Sequence, residues 1–325
     1  MSRDDSRAAE EAREEVTAPV TVSEHNARPA VVRSLLTDAI DYAGLFPPAQ
    51  LDMPGAVAEY ASYLGSVDAW ALGRFVVPVA RLDELAAAAV SLGGPTCWRI
   101  SVVCGIDLAA DGARVRAFND TDAVDREGWC GRVEAIEVRA PTVSAVESAV
   151  RLVPTDEMEI FIEIPVGADA QALVNAMRGT NAFAKVRTGG TTADAFPTSG
   201  DLARFLAACV RANVPFKATA GLHHPLRGDY PLTYAPDSAR STMFGFLNVF
   251  LAAAFLRLGE SEDTARELLD ERDPAAVKFD ERGVSWRGRR LSASDLLAAR
   301  DRAVRSFGSC SFREPIDDLT SLGIL

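Results

Sequence analysis

Lysine is nearly missing from this chain: of its 34 basic residues only Lys185, Lys217 and Lys278 are lysine, and the rest are arginine. Where a positive charge alone serves, arginine has taken the position. A retained lysine therefore points to work a guanidinium cannot do, and loss of a proton followed by attack on a carbonyl is such work. Cysteine is also scarce. The five cysteines include no CxxC pair and are odd in number, which leads to an expectation of free thiols in a reducing, cytoplasmic setting. Basic excess is absent. With 46 acidic residues and a net charge of -12, nothing supplies a face that neutralises phosphates, so no nucleic-acid partner is expected. Long apolar runs are absent as well: residues 244–258 are interrupted by Asn248 and Arg257 and fall short of a membrane span, and no apolar run follows the N-terminal charges. Neither a membrane partner nor a secretory signal is expected.

What is present is enough apolar material, 48% of 325 residues, for a sizeable core. Residues 1–28 are charged and poor in large apolar side chains, and are predicted to be a disordered tail. Residues 29–325 alternate short β-branched runs with longer stretches of helical spacing, the pattern of repeated βα units. Seven strands are predicted, at 39–46, 73–78, 98–105, 133–140, 159–165, 182–189 and 215–219. An eighth would close an α/β fold of the (β/α)8 TIM barrel class as a single domain. Two segments compete for that place. Residues 275–290 contain AAVKFDE and a glycine turn and read as a β-hairpin insertion, so RSFGSCSF at 305–312 is preferred. Residues 225–242, rich in Pro, Gly and Tyr, form a long loop over the barrel mouth. An open doubly wound sheet would want a glycine-rich phosphate turn after its first strand, and AGLFPPA is not one.

In a barrel the outward side chains pack under helices and must be apolar, which fixes the inward set by alternation. Ala184 and Val186 face outward, turning Lys185 and Arg187 inward; Phe216 and Ala218 do the same for Lys217 and Thr219. By the same test Glu137 points inward on the fourth strand and Glu163 on the fifth. Buried charges at this density demand either a salt-bridge network or an active site. In the active-site reading, Lys217 and Arg187 lower the pKa of Lys185 toward neutrality and Glu137 moves protons.

Several segments, in order, resemble the deoxyribose-phosphate aldolase group of class I aldolases: AIDYAGLFPPAQ, RFVVPVARLDEL, VEAIEVRA, IFIEIP, AKVRTGG and FKATAGLHH, spanning about residues 39–223. The resemblance implies a (β/α)8 barrel that forms a Schiff base on Lys185, with Lys217 as the second lysine that tunes it and Glu137 in place of a proton-shuttling aspartate. It also marks Asp41 at the end of the first strand. The chain departs from the family where phosphate is held: Ala220-Gly221-Leu222-His223-His224 replaces a glycine pair, while Gly308 and Ser309 match the turn after the eighth strand. Phosphate recognition is therefore not carried over with the resemblance.

Of the adjacent histidines His223 and His224, at most one is expected to face the site, as a loop cap, an acid/base or carboxylate-binding group, or a metal ligand. The expected activity is a Schiff-base lyase or aldolase acting on a small oxygenated carbonyl compound, with no cofactor, and with Arg187 contacting a substrate anion. Two alternatives stand beside it: a divalent-metal lyase or isomerase using Glu137, Glu163 and a histidine, and a non-catalytic barrel that binds a carboxylate or sugar phosphate. Cys310 has no evident histidine partner and reads as packing. The helix MFGFLNVFLAAAFLRL, apolar all round, is either sandwiched inside or the interface of a homodimer.

Overall fold

A computed structural model describes residues 30–93, 97–121, 129–153, 158–167 and 170–325. The predicted N-terminal tail lies outside the described residues. Seven parallel strands follow one another around a barrel: β1 (Ile40–Tyr42), β2 (Leu72–Pro78), β3 (Cys97–Val103), β4 (Cys130–Arg139), β5 (Glu159–Glu163), β6 (Ala182–Arg187) and β7 (Phe216–Thr219). After β7 the chain makes a two-stranded hairpin, β8 (Gly228–Pro231) and β9 (Arg240–Met243), within the segment read as a long loop. A three-stranded antiparallel sheet comes next, β10 (Val277–Asp280), β11 (Gly283–Trp286) and β12 (Arg289–Ser292). The last strand, β13 (Val304–Ser309), pairs with β7 on one side and β1 on the other and closes the eight-stranded barrel. The chain is a (β/α)8 barrel whose eighth strand comes from RSFGSCSF, while Lys278 lies exposed on the outer sheet.

Alternation on the strands builds both faces of the wall. Ile136, Val138, Ile160, Ile162, Ala184 and Val186 are buried under the helices. The inward positions of β5 step up the interior as Glu159, Phe161 and Glu163. Glu159 belongs to a lower ionic layer, where Arg74 reaches both Glu134 (3.2 Å) and Glu159 (2.9 Å), Arg99 reaches Glu134 (2.9 Å), and Arg305 pairs with Glu159. Phe161 and Phe183 form an aromatic layer, ring centroids 5.4 Å apart, with Arg305 against Phe183 and Lys217 against Phe161. Glu163 belongs to the upper layer, where the carboxyl ends of the strands open to the mouth.

The helix Ser199–Ala212 buries Leu202, Phe205, Leu206 and Cys209 as its spacing predicts. Its N-cap is Thr198, whose hydroxyl accepts the Asp201 N–H at 3.1 Å. The apolar helix Phe246–Arg257 buries every residue from Phe246 to Leu256 within the chain, stacking Phe246 on Phe307 of β13. Of the two places left open for this helix, inside the chain or at a homodimer interface, it takes the inside. The free-thiol expectation is also corrected for two cysteines. Cys97 and Cys130, far apart in sequence, open β3 and β4 as register partners, Cα atoms 4.5 Å apart, and are joined by a disulfide, while Cys104, Cys209 and Cys310 are free. Among the described residues no helix is long and apolar enough to cross a membrane.

Because Phe250 is fully buried with its ring 5.8 Å from Phe307, Phe250→Ala is expected to cost about 3–5 kcal/mol of unfolding free energy in urea titration. Val67→Ala, at a side chain 90% exposed, should leave the midpoint unchanged.

Candidate active site

Alternation brings Lys185, Lys217, Glu137, Glu163 and Asp41 to one interior, and their atoms touch. Lys217, fully buried, donates to Asp41 Oδ2 and to Glu137 Oε1, each at 2.6 Å. Lys185 on the neighbouring strand sits between Glu137 Oε2 (2.8 Å) and Glu163 Oε2 (2.9 Å). Glu137 thus bridges the two amines, one through each oxygen. Its Oε1 accepts a third bond from Ser101 (2.7 Å), and Asp41 accepts from Ser306 (2.7 Å) and from the backbone N–H of Arg74 (2.7 Å). A glycine is required beside this last bond: a Cβ on Gly73 would lie 2.4 Å from Asp41 Oδ1.

Burial favours neutral carboxyls, but here the cations prevail. Burial would raise the pKa of Glu137, yet Lys185 and Lys217 hold it well below the usual carboxylate range; Lys217 and Arg74 lower that of Asp41 in the same way. For Lys185 the expectation from the sequence was of the wrong sign. Burial does push its pKa down, but Glu137 and Glu163 outweigh burial and raise it above the ordinary value of 10.5. The reason is distance: two carboxylates lie within hydrogen-bond reach of its amine, whereas Lys217 has its own charge spent on Asp41 and Glu137.

Above this cluster lies a cavity of about 690 Å³, and Lys185, Lys217, Glu137 and Glu163 line it. So do Arg187, Thr219 and Gly308 at the strand ends; Thr219 donates to the Val186 carbonyl at 3.3 Å. Arg187 lies at the rim, exposed, two positions beyond Lys185 on the same face of β6. It does not join the buried cluster. The hairpin β8–β9 and its turn roof the cavity, contributing Pro231 and Tyr234.

No family model, curated protein or solved structure matches the chain.

Both histidines line the cavity, not one. Ala220 and Gly221 take positive φ angles of 64° and 74°, so strand alternation ends at Thr219. His223 Nδ1 then meets Glu314 (3.1 Å), and His224 Nδ1 meets Asp318 (2.6 Å), one turn further along the helix Arg313–Ser321. His224 also stacks on Tyr230 at 3.5 Å and serves as a loop fastener. Around His223 gather Ser309 (3.3 Å) and Cys310 (3.9 Å), while Tyr234 donates to Glu314 at 2.7 Å. Burial would lower the pKa of His223, but its bonds to Cys310 and Glu314 raise it to about 9. Cys310 therefore has a histidine neighbour that sequence reading did not find. Glu314 and Tyr234 were missed too, since neither lies on a barrel strand; Ser101 and Ser306 occupy strand positions that the alternation rule could have flagged.

Among the described residues no three His, Cys, Asp or Glu side chains converge as a metal site. Where a metal between Glu137 and Glu163 would sit, the Lys185 ammonium already does.

Lys217→Met leaves the buried carboxylates of Asp41 and Glu137 short of a counter-charge, and is expected to cost about 3–5 kcal/mol in chemical denaturation. For His223 the folded pKa of about 9 exceeds the ordinary 6.5. Its contribution to stability is complete below pH 6.5 and is lost as pH rises through about 9. An NMR titration should place the His223 midpoint near 9, and Glu314→Gln should move it down.

Proposed function

We propose that the barrel is a Schiff-base-forming lyase of the class I aldolase kind, acting on a small oxygenated carbonyl compound with Lys185 as its nucleophile. One observation carries this reading: of the two lysines that line the cavity, Lys185, between two carboxylates, is the one whose side chain keeps some exposure, 8% against none for Lys217. The order of residues along the strands, which resembles that of the deoxyribose-phosphate aldolase group, supports the same assignment.

The chemistry runs through groups already in contact. Lys185 passes a proton to Glu163 or Glu137, and its lone pair adds to the carbonyl carbon to give a carbinolamine. The carbonyl oxygen, protonated, departs as water and leaves a cationic imine. When the carbon–carbon bond breaks, a site carboxylate takes the proton of the β-hydroxyl, the bond's electron pair moves into that imine, the second carbonyl product leaves, and an enamine remains. Protonation of the enamine and hydrolysis then free the amine. Lys217 acts in this scheme as a positioning residue. By holding Glu137 Oε1 it fixes the other oxygen against Lys185. Arg187 at the rim meets an anionic group of the substrate, and Thr219, His223 and Gly308 shape the floor and wall that receive the rest.

Borohydride trapping with small aldehydes and ketones, read by intact mass, tests the proposal. Wild type should gain one reduced adduct that peptide mapping finds on Lys185, and Lys185→Arg should gain none. Equal labelling of the two would sink it. Since the resting amine is an ammonium with a raised pKa, the trapping rate should climb about tenfold per pH unit between roughly pH 7 and 9. Glu163→Gln, which removes one of the two carboxylates that raise this pKa, should trap faster than wild type near neutral pH.

A further inference from the structure

We infer that the cavity takes a carboxylate, not a phosphate, and that it binds this group between Arg139 and Arg187, the rim guanidiniums on either side of β5. The inference deepens the reading of Lys185 above, on which it rests only for where the reacting carbonyl lies.

In (β/α)8 barrels the usual place for a phosphate is between the loops after strands seven and eight and the N-terminus of a short following helix. In this chain that place is filled from within. The helix Arg313–Ser321 begins there, and its first-turn residue Glu314 turns its own carboxylate into the cavity. That carboxylate is taken by His223 (3.1 Å) and by the hydroxyl of Tyr234 (2.7 Å). The amide of Glu314 is capped by Ser311 Oγ at 3.2 Å, and Ser309 of the strand-eight turn is engaged by His223 at 3.3 Å. A phosphate arriving here would meet a negative charge whose donors are already committed. To bind at this end of the cavity a phosphate would have to displace the Glu314 carboxylate from His223 and Tyr234.

The opposite side of the mouth has the reverse character. Arg139 and Arg187 are each two residues beyond an inward site residue, Glu137 on β4 and Lys185 on β6, so alternation turns both toward the same mouth. Arg139 is the register partner of Glu163 on β5, and Glu163 is the partner of Lys185 on β6. Both arginines line the cavity, and neither has a hydrogen bond or an ion pair to another described residue. Many other arginines of this chain are paired to an acidic neighbour, so two without one at the same cavity rim, on the strands that flank β5, supply the charge and the donors that an anion needs.

The charge balance selects a singly charged ligand. Asp41, Glu137 and Glu163 against Lys185 and Lys217 leave the inner cluster one negative charge. With the His223–Glu314 pair counted as neutral, the two guanidiniums bring the total to one positive charge, the complement of a monocarboxylate. The substrate class is then an unphosphorylated oxo acid, with its carboxylate on the arginines, its carbonyl at Lys185, and its hydroxyl-bearing end toward Tyr234 and the His223–Glu314 pair.

Calorimetric titration with ligands that have no carbonyl separates this inference from imine chemistry. Wild type, Arg139→Gln, Arg187→Gln and the double variant would be titrated with glycerate, glycerol 3-phosphate and glycerol, after thermal melts verify that each variant folds. Wild type should bind glycerate more tightly than glycerol 3-phosphate. Each single variant should lose about tenfold in glycerate affinity, and the double variant should bind it no better than glycerol. Tighter binding of the phosphate ester, unchanged glycerate affinity in the variants, or no binding of either anion would overturn the carboxylate site. A failure of borohydride trapping with these results intact would instead remove only the nucleophilic role of Lys185.

Discussion

Everything at the top of this barrel is organised around a single buried ammonium. Lys217 has no exposure to water, and its charge is tolerable only because Asp41 from β1 and Glu137 from β4 reach across the interior to meet it at 2.6 Å each. Those two carboxylates have further bonding capacity of their own, and the surrounding residues satisfy it: Ser306 and the Arg74 amide for Asp41, Ser101 and Lys185 for Glu137. The face of Phe161 lies below, 5.4 Å from the amine, where it supports a cation and excludes water. Even the absence of a side chain at Gly73 belongs to this arrangement, because a methyl there would occupy the space of the Asp41 carboxylate.

Depth then divides two chemically identical side chains into different roles. Lys217 has no exposed side-chain surface, whereas Lys185, one strand away, shares Glu137 with it, keeps some exposure and has Glu163 as its second partner. The paired carboxylates keep Lys185 protonated at rest, so the groups that would accept its proton are the same groups that delay its release. This coupling explains why activation would depend on substrate arrival and on pH, and it assigns Lys217 to the geometry of Glu137 rather than to repulsion of a neighbouring amine. Further out, the mouth is electrostatically asymmetric. The side after strands seven and eight is neutralised by the His223–Glu314 pair, and the β4–β6 side keeps two free guanidiniums.

Much of this is legible in the sequence alone, because strand alternation is a rigid rule. Once Ala184 and Val186 must lie under helices, Lys185 and Arg187 have no choice of face, and the same holds for Lys217 beside Phe216 and Ala218. The closing strand could be chosen because AAVKFDE runs into a glycine turn, and Gly283, at a φ of 149°, sits where β11 passes close to Leu291 of β12. The rule fails where alternation stops. Positive φ at Ala220 and Gly221 lets both histidines face the cavity, and the partners they find, Glu314 and Asp318, are supplied by a helix some ninety residues downstream. Cys97 and Cys130 share a disulfide only because parallel pairing of β3 with β4 sets their register.

The sequence by itself determined the barrel, the faces of its strands and four members of the buried cluster, Glu137, Glu163, Lys185 and Lys217, since each follows from local periodicity and from the cost of placing a charge under a helix. Tertiary structure decided the sign of the pKa shift at Lys185, the burial of the apolar helix within one chain, and the occupation of the strand-seven and strand-eight end by Glu314. These depend on distances of a few ångströms between groups from distant parts of the chain. No periodicity encodes such distances; only closure of the barrel makes them.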